Sequence, residues 1–301
     1  MPAGGARSTL APMSEPRSIR VRLATGIECH ALEWGGNDAA LGHTVVLVHG
    51  FLDLAWGWER TVRSGLAERC HVVAPDARGH GDSDRVGAGG YYHFMDYVAD
   101  LASLVAQVGR SRVSLVGHSM GGSIASYFAG AFPDRVERLA LLEGLGPPED
   151  ESPVPERAAA WTAAWRRARE REPRTYASVE EAAERLRTTD PLLEAELSLE
   201  LAERGTVELA DGSRRFKHDP LHLTRGPYPF RVDVAESFWR RIRCPVLFVE
   251  GSESPFRALE GVERRRACFS DAQLVVLAGA GHMMQRHRPA ELGRLLAEFM
   301  C

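Results

Sequence analysis

Six short apolar runs constrain this chain more than any other feature: Thr44–Val48, His71–Pro75, Val113–Val116, Leu139–Leu142, Val246–Val249 and Leu274–Leu277. A strand with one wet face alternates polar and apolar residues. A run that is apolar at successive positions belongs to a strand covered on both faces, the usual condition of a parallel sheet flanked by helices. Each run ends in a polar or glycine-containing turn, and helical patterns separate them. The expected class is therefore α/β, a mostly parallel β-sheet with helices on both faces. Weaker runs at Arg20–Leu23 and Ile27–Leu32, turning at Thr25-Gly26, predict an antiparallel hairpin at one sheet edge.

Residues 147–240 break the rhythm. The stretch opens on Pro147-Pro148 and is dense in Arg, Glu and Ala. Helical patterns run over Glu156–Arg171 and Val179–Arg187, the second behind a capping box at Ser178 and Glu181. Asp190-Pro191 reads as N-cap and first residue of a third helix that Gly205 ends. A hairpin follows around Asp211-Gly212. The expected division is a flexible leader over 1–18, a core from 19–146 and 241–301, and a mostly helical cap inserted over 147–240.

A chain of 301 residues can bury a substantial core, and 44% hydrophobic with 26% charged residues is ordinary for a soluble globular protein. Its 37 basic and 41 acidic residues leave a charge of -4, too balanced for electrostatic capture of nucleic acid or anionic lipid. No apolar run approaches the roughly 20 residues of a membrane span. The five cysteines, Cys29, Cys70, Cys244, Cys268 and Cys301, are odd in number and far apart, so neither a disulfide framework nor a zinc site is expected, and a reducing cytoplasm fits best.

The chemistry centres on Val113-Ser114-Leu115-Val116-Gly117-His118-Ser119-Met120-Gly121-Gly122, where G-x-S-x-G follows a strand and opens an apolar helical pattern. A tight strand-to-helix turn presents Ser119 at the sheet edge, and the small residues two before and two after let it close. A serine hydroxyl needs a base to take its proton and a carboxylate to fix the base's tautomer. Among eleven histidines, His282 lies in a late glycine-rich loop after a strand, Ala278-Gly279-Ala280-Gly281-His282-Met283. The amides of Phe51, after the strongest strand, and of Met120 are the natural oxyanion donors. The charged loop Asp76–Ser83 reads as a structural tie.

His49-Gly50-Phe51, D-x-R-G-x-G-x-S at 76–83, GHSMGG at 117–122, the capped insertion and GAGH at 279–282 together resemble the α/β-hydrolase superfamily, and the chain is similar to its serine hydrolase-like branch. The resemblance implies a Ser-His-acid triad, a lid over the pocket, a small-molecule substrate, and no cofactor or metal. It also implies acyl transfer, because haloalkane dehalogenases and epoxide hydrolases of this fold place Asp where this chain has Ser119. The acid departs from the commonest pattern: the usual Asp position is Ser254. Glu143, at the end of the preceding strand, and Glu253, one residue off register, are the two substitutes. Trp56 and Trp58 follow the oxyanion loop, and Trp161 and Trp165 share a helix face. With Met283 they are candidates to line an apolar acyl pocket, the alternative being that the cap pair is core. The expected activity is a carboxylic ester hydrolase. Lactone, thioester, amide and carbon-carbon bond cleavage use the same machinery, and an inactive binding protein on the same scaffold is a separate class.

Overall fold

The computed structural model describes residues 15–35, 43–108, 111–170 and 172–301. Eight strands form one sheet: β1 (Arg17–Arg22), β2 (Glu28–Trp34), β3 (Thr44–Val48), β4 (His71–Pro75), β5 (Val113–His118), β6 (Val136–Leu142), β9 (Val246–Gly251) and β10 (Ala272–Leu277). Their order is β1-β2-β4-β3-β5-β6-β9-β10. The first two strands run antiparallel to each other, β2 runs antiparallel to β4, and the remaining pairs are parallel. Residues 1–14 of the expected leader lie outside the described residues; Arg17 and Ser18 already pair with Glu33 and Leu32 in the edge hairpin.

The apolar runs feed two cores. Val46, Val48, Leu139 and Leu141 enter one, with α2 (Phe94–Gln107), α3 (Met120–Ala131) and α7 (Val232–Trp239) packed over them. Val45, Leu47, Ala140 and Leu142 enter the other, under the turns at 55–66, which include α1 (Glu59–Thr61), and α10 (Pro289–Met300). Successive residues of one strand thus serve opposite faces, which is why the sequence shows no alternation. The short helices α8 (Val262–Arg266) and α9 (Met284–His287) flank β10.

Between β6 and β9 come α4 (Val154–Glu170), α5 (Val179–Thr189), α6 (Ala195–Gly205), a hairpin of β7 (Thr206–Glu208) and β8 (Arg214–Phe216), and α7. The Ser178 side chain accepts from the Glu181 amide, the first bond of a capping box, while the Glu181 carboxylate reaches one residue further back and accepts from the Ala177 amide at 2.6 Å. Two expectations need correction. The third helix starts at Ala195, because Asp190 instead closes the end of α5 and turns its carboxylate to His287 Nε2 at 2.7 Å. And α7 packs on α3, with Trp239 wholly buried and its indole donating to Ser126 Oγ at 3.0 Å, so the last helix of 147–240 belongs with the core.

The cysteine expectation is also overturned: Cys70 and Cys301 form a disulfide with Cα atoms 6.5 Å apart. Sequence spacing hides the pair because 231 residues separate its members; α10 brings them together by packing against the Val62–Leu66 turn. The argument for a reducing compartment falls with it. Cys29, Cys244 and Cys268 are free and buried. No helix among the described residues is long and apolar enough to cross a membrane.

Candidate active site

Ser119 sits between the last residue of β5 and the first of α3, at φ 51 and ψ -118. Two glycines make the turn possible. A Cβ on Gly117 would lie 2.5 Å from the Gly121 carbonyl oxygen, and one on Gly121 would lie 2.2 Å from that of Val48. The Ser119 amide donates to Leu142 O at 2.9 Å, holding the ends of β5 and β6 side by side. Among the described residues, the non-glycine positions with positive φ are Leu52, Ser119 and Glu143, just after β3, β5 and β6. Each costs of order 1–3 kcal/mol, and such strain gathers where a fold positions chemistry.

The structure brings Glu143 and His282 together: His282 Nδ1 lies 2.6 Å from Glu143 Oε2. The carboxylate is almost fully buried and otherwise satisfied, Oε1 accepting from the Gly251 amide at 3.0 Å and Oε2 from Ser254 Oγ at 2.7 Å. Ser254 is therefore a donor to the carboxylate at the end of the neighbouring strand. Glu253 is exposed and accepts from Ser252 Oγ at 2.9 Å. The His282 ring stacks on Phe256, centroids 4.2 Å apart. Its carbonyl accepts from His118 Nε2 at 2.9 Å, a contact sequence reasoning missed because it joins positions 164 residues apart. Burial first, then the neighbouring His282, pushes His118 down to about 3, so it stays neutral at any working pH.

On the β3 side, His49 is buried; its Nε2 accepts from the Ala77 amide at 2.9 Å, which leaves Nδ1 to donate to Gly50 O at 2.7 Å. Gly50 covers the elbow: a Cβ there would lie 2.7 Å from His118 Nδ1 and 3.3 Å from Ser119 Cβ. The Met120 amide belongs to the first turn of α3, where amides have no intrahelical acceptor. The strained Leu52 donates its amide to His80 Nε2 at 3.3 Å. The rest of the 76–83 loop is a structural tie: Asp76 accepts from the Ala55 amide at 2.7 Å and the Asp82 amide at 2.9 Å and bonds His30 at 2.7 Å, while Arg78 grips Asp100 through two bonds.

The His80 ring lies 4.1 Å from that of His222, which comes from the insertion. Burial above all, then the neighbouring histidines, holds His80 well below its ordinary value, and burial takes His222 to about 4. The unfolded chain protonates these histidines near 6.5, whereas the folded one refuses the protons. Stability is therefore full above about pH 6.5 and falls as pH drops towards 4, by up to about 1.4 kcal/mol per pH unit for each such histidine. The melting temperature should fall over this window, more shallowly in His222→Phe; equal slopes for the two proteins would refute the assignment.

A model of the α/β hydrolase fold matches residues 43–289. A serine hydrolase-like protein of Danio rerio is 33% identical over 283 residues, covering 89% of this chain and 83% of that one. The chain belongs to the α/β-hydrolase fold family, in its serine hydrolase-like branch. A soluble epoxide hydrolase of Corynebacterium sp. is 39% identical over 120 residues only, 39% of this chain and 41% of that protein, so the match spans less than half its length. Among solved structures, the hypothetical protein PA1622 from Pseudomonas aeruginosa PAO1 superposes with a TM-score of 0.83 at 28% identity, covering 95% of this chain and 99% of that one.

In this α/β-hydrolase a cavity of about 1200 Å³ opens between the core and the insertion. Phe51, Leu52, Phe256, His282 and Met283 line its core side, and Leu186, Leu192 and Phe216 its far wall. The four tryptophans expected to line it do not. Trp58 is 1% exposed in the core under β3, and Trp56 lies beneath the Arg204 guanidinium, 4.0 Å from its ring. Trp161 and Trp165 stack on each other at 5.1 Å and meet Tyr91 edge-on. Their i, i+4 face is packing between α4 and the loop before α2.

Proposed function

We propose that this protein is a serine hydrolase that cleaves a carboxylic ester of a small-molecule substrate through an acyl-enzyme, with Ser119, His282 and Glu143 as its triad. The observation that carries the reading is the buried Glu143 carboxylate at 2.6 Å from His282 Nδ1, one strand over from the strained Ser119. A carboxylate there keeps the proton on Nδ1 and leaves Nε2 free to accept one. Ser119 Oγ attacks the carbonyl carbon as His282 Nε2 takes its proton. The Phe51 and Met120 amides receive the oxyanion. The tetrahedral adduct collapses as His282 returns the proton to the departing alkoxide, giving acyl-Ser119 and an alcohol. Water, deprotonated by His282, then adds to the acyl carbon, and the adduct collapses as His282 Nε2 returns that proton to Ser119 Oγ, releasing the carboxylic acid and the free serine. Ser254 Oγ and the Gly251 amide hold the Glu143 carboxylate in place throughout.

The test is covalent. A fluorophosphonate probe should label the wild type at one site and leave Ser119→Ala unlabelled, with p-nitrophenyl butyrate hydrolysis lost in parallel. Absence of labelling and of hydrolysis in the folded wild type would instead favour a binding protein on a hydrolase scaffold.

A further inference from the structure

The charge of the cavity wall runs against that of the chain. Arg286 on that wall is neutralised within the protein by Asp53 at 2.7 Å, whereas Asp190 accepts at 2.7 Å from His287 Nε2, a ring whose Nδ1 accepts from the Gly281 amide and which therefore brings no charge. What remains is four cations, Arg167, Arg174, Arg185 and Arg215, against three carboxylates, Glu172, Asp190 and Glu253, in a protein of net charge -4. Arg215 is the most enclosed of the four. It lies on β8 beside Arg214, which pairs with Glu208 at 3.2 Å, while Arg215 has no acidic partner among the described residues. Its Nε is buried with no hydrogen-bond acceptor. A buried guanidinium nitrogen without a partner is uncommon in a folded protein, and here it belongs to a side chain that walls an open cavity. The acceptor that would satisfy it comes from whatever fills that space.

We propose that the cavity takes substrates carrying an anionic group, a carboxylate or a phosphate, at the end away from the scissile bond, and that Arg215 is the specificity-determining residue that receives it, with Arg185 and Arg174 adding to the field. The inference deepens the ester hydrolase reading and rests on it. Guanidinium suits this role because its planar donor fork matches an oxyanion and never loses its charge. The apolar residues Leu186, Leu192 and Phe216 line the same cavity as Arg215 and His282 and suit a hydrocarbon spacer, so the preferred substrate is amphiphilic: a reactive ester, an aliphatic middle and a charged end.

The experiment compares kcat/KM for p-nitrophenyl hemisuccinate, hemiglutarate and hemiadipate with that for neutral p-nitrophenyl esters of matching length. The wild type should favour one length of acidic ester by about tenfold or more at low salt. The advantage should shrink at 1 M salt without vanishing, because the exposed Arg174 and Arg185 are screened while contact with the partly buried Arg215 is screened much less. In Arg215→Gln the ratio should collapse, and Arg215→Lys should retain part of it; a merely structural role would lower both rates together and leave the ratio standing. Glutarate and inorganic phosphate, tried separately as competitors against the neutral ester, distinguish which oxyanion the site prefers. A wild-type preference for the neutral esters, or a ratio unmoved by Arg215→Gln, would overturn the proposal. If no ester is hydrolysed at all, the hydrolase reading fails instead, and calorimetric binding of glutarate to Ser119→Ala, lost in the Ser119→Ala/Arg215→Gln double variant, still decides the anion site.

Discussion

Replacing Glu143 with glutamine is expected to lower kcat by about 10²–10⁴-fold while KM stays near its original value. The amide keeps the size of the side chain but removes the charge that stabilises the imidazolium, and its NH₂ can donate to Nδ1, favouring the tautomer with the proton on the wrong nitrogen. Glu253→Gln, an exposed group bonded to Ser252, should change kcat by no more than a few fold. Adding Ser254→Asp to Glu143→Gln should recover part of the loss, because Ser254 Oγ lies 2.7 Å from the oxygen that holds His282. The same substitution alone should be harmful, since it sets two carboxylates side by side in a buried site. Steady-state kinetics of the four variants decide the matter: a large loss at Glu253 with Glu143 silent would move the acid to the next strand end.

Asp53→Ala should destabilise the protein by about 3–5 kcal/mol. Asp53 is buried in the loop after β3, where it accepts from Arg286 at 2.7 Å and from Gln285 at 3.1 Å. Burial, the largest influence, pushes its carboxyl up, yet Arg286 and the nearby histidines together hold it below the usual carboxylate range. The pair's contribution is therefore present above about pH 4 and is lost only as pH falls further. Truncating one partner leaves a guanidinium buried without its acid. Removing both in Asp53→Leu/Arg286→Met should cost far less than the sum of the single changes. Denaturant unfolding of Asp53→Leu, Arg286→Met and the double variant measures the difference, and additive losses would show that the two side chains do not act as a pair.

What could be read in the sequence was what local chemistry dictates. The doubly buried strands announced themselves because residues such as Val45 and Val46 serve opposite cores, and the elbow because Gly117 and Gly121 have no room for a side chain. What stayed hidden depended on contacts between distant segments. Asp190 looks like a helix cap beside Pro191, but its partner is 97 residues away, His287 at the end of α9. Ser254 looked like a missing acid until the Glu143 carboxylate was found against its hydroxyl. The tryptophans misled for a related reason: Trp161 and Trp165 do share a helix face, but nothing local says that this face meets Tyr91 instead of the cavity. Arg215 carried no signal beyond its charge, since its significance lies in which neighbours it lacks.

The Cys70–Cys301 bridge gives the molecule an uneven topology. Ser119, Glu143 and His282 all fall between the two sulfurs, inside a covalent ring, while β1, β2, β3 and the Phe51 loop hang from it as an open arm. A single protease cut anywhere within the ring, including the exposed turns of the insertion, yields two pieces that remain one species until a thiol reductant is added. A cut in the arm leaves its fragment held by strand pairing and packing alone, with no covalent link to the rest. For a nicked enzyme, losing activity and coming apart are therefore separate events. Closing so long a loop also removes freedom from the unfolded chain, worth on the order of 5 kcal/mol in the chain-entropy account. The same bond that tolerates a break in the insertion thus works against unfolding of the sheet beneath it.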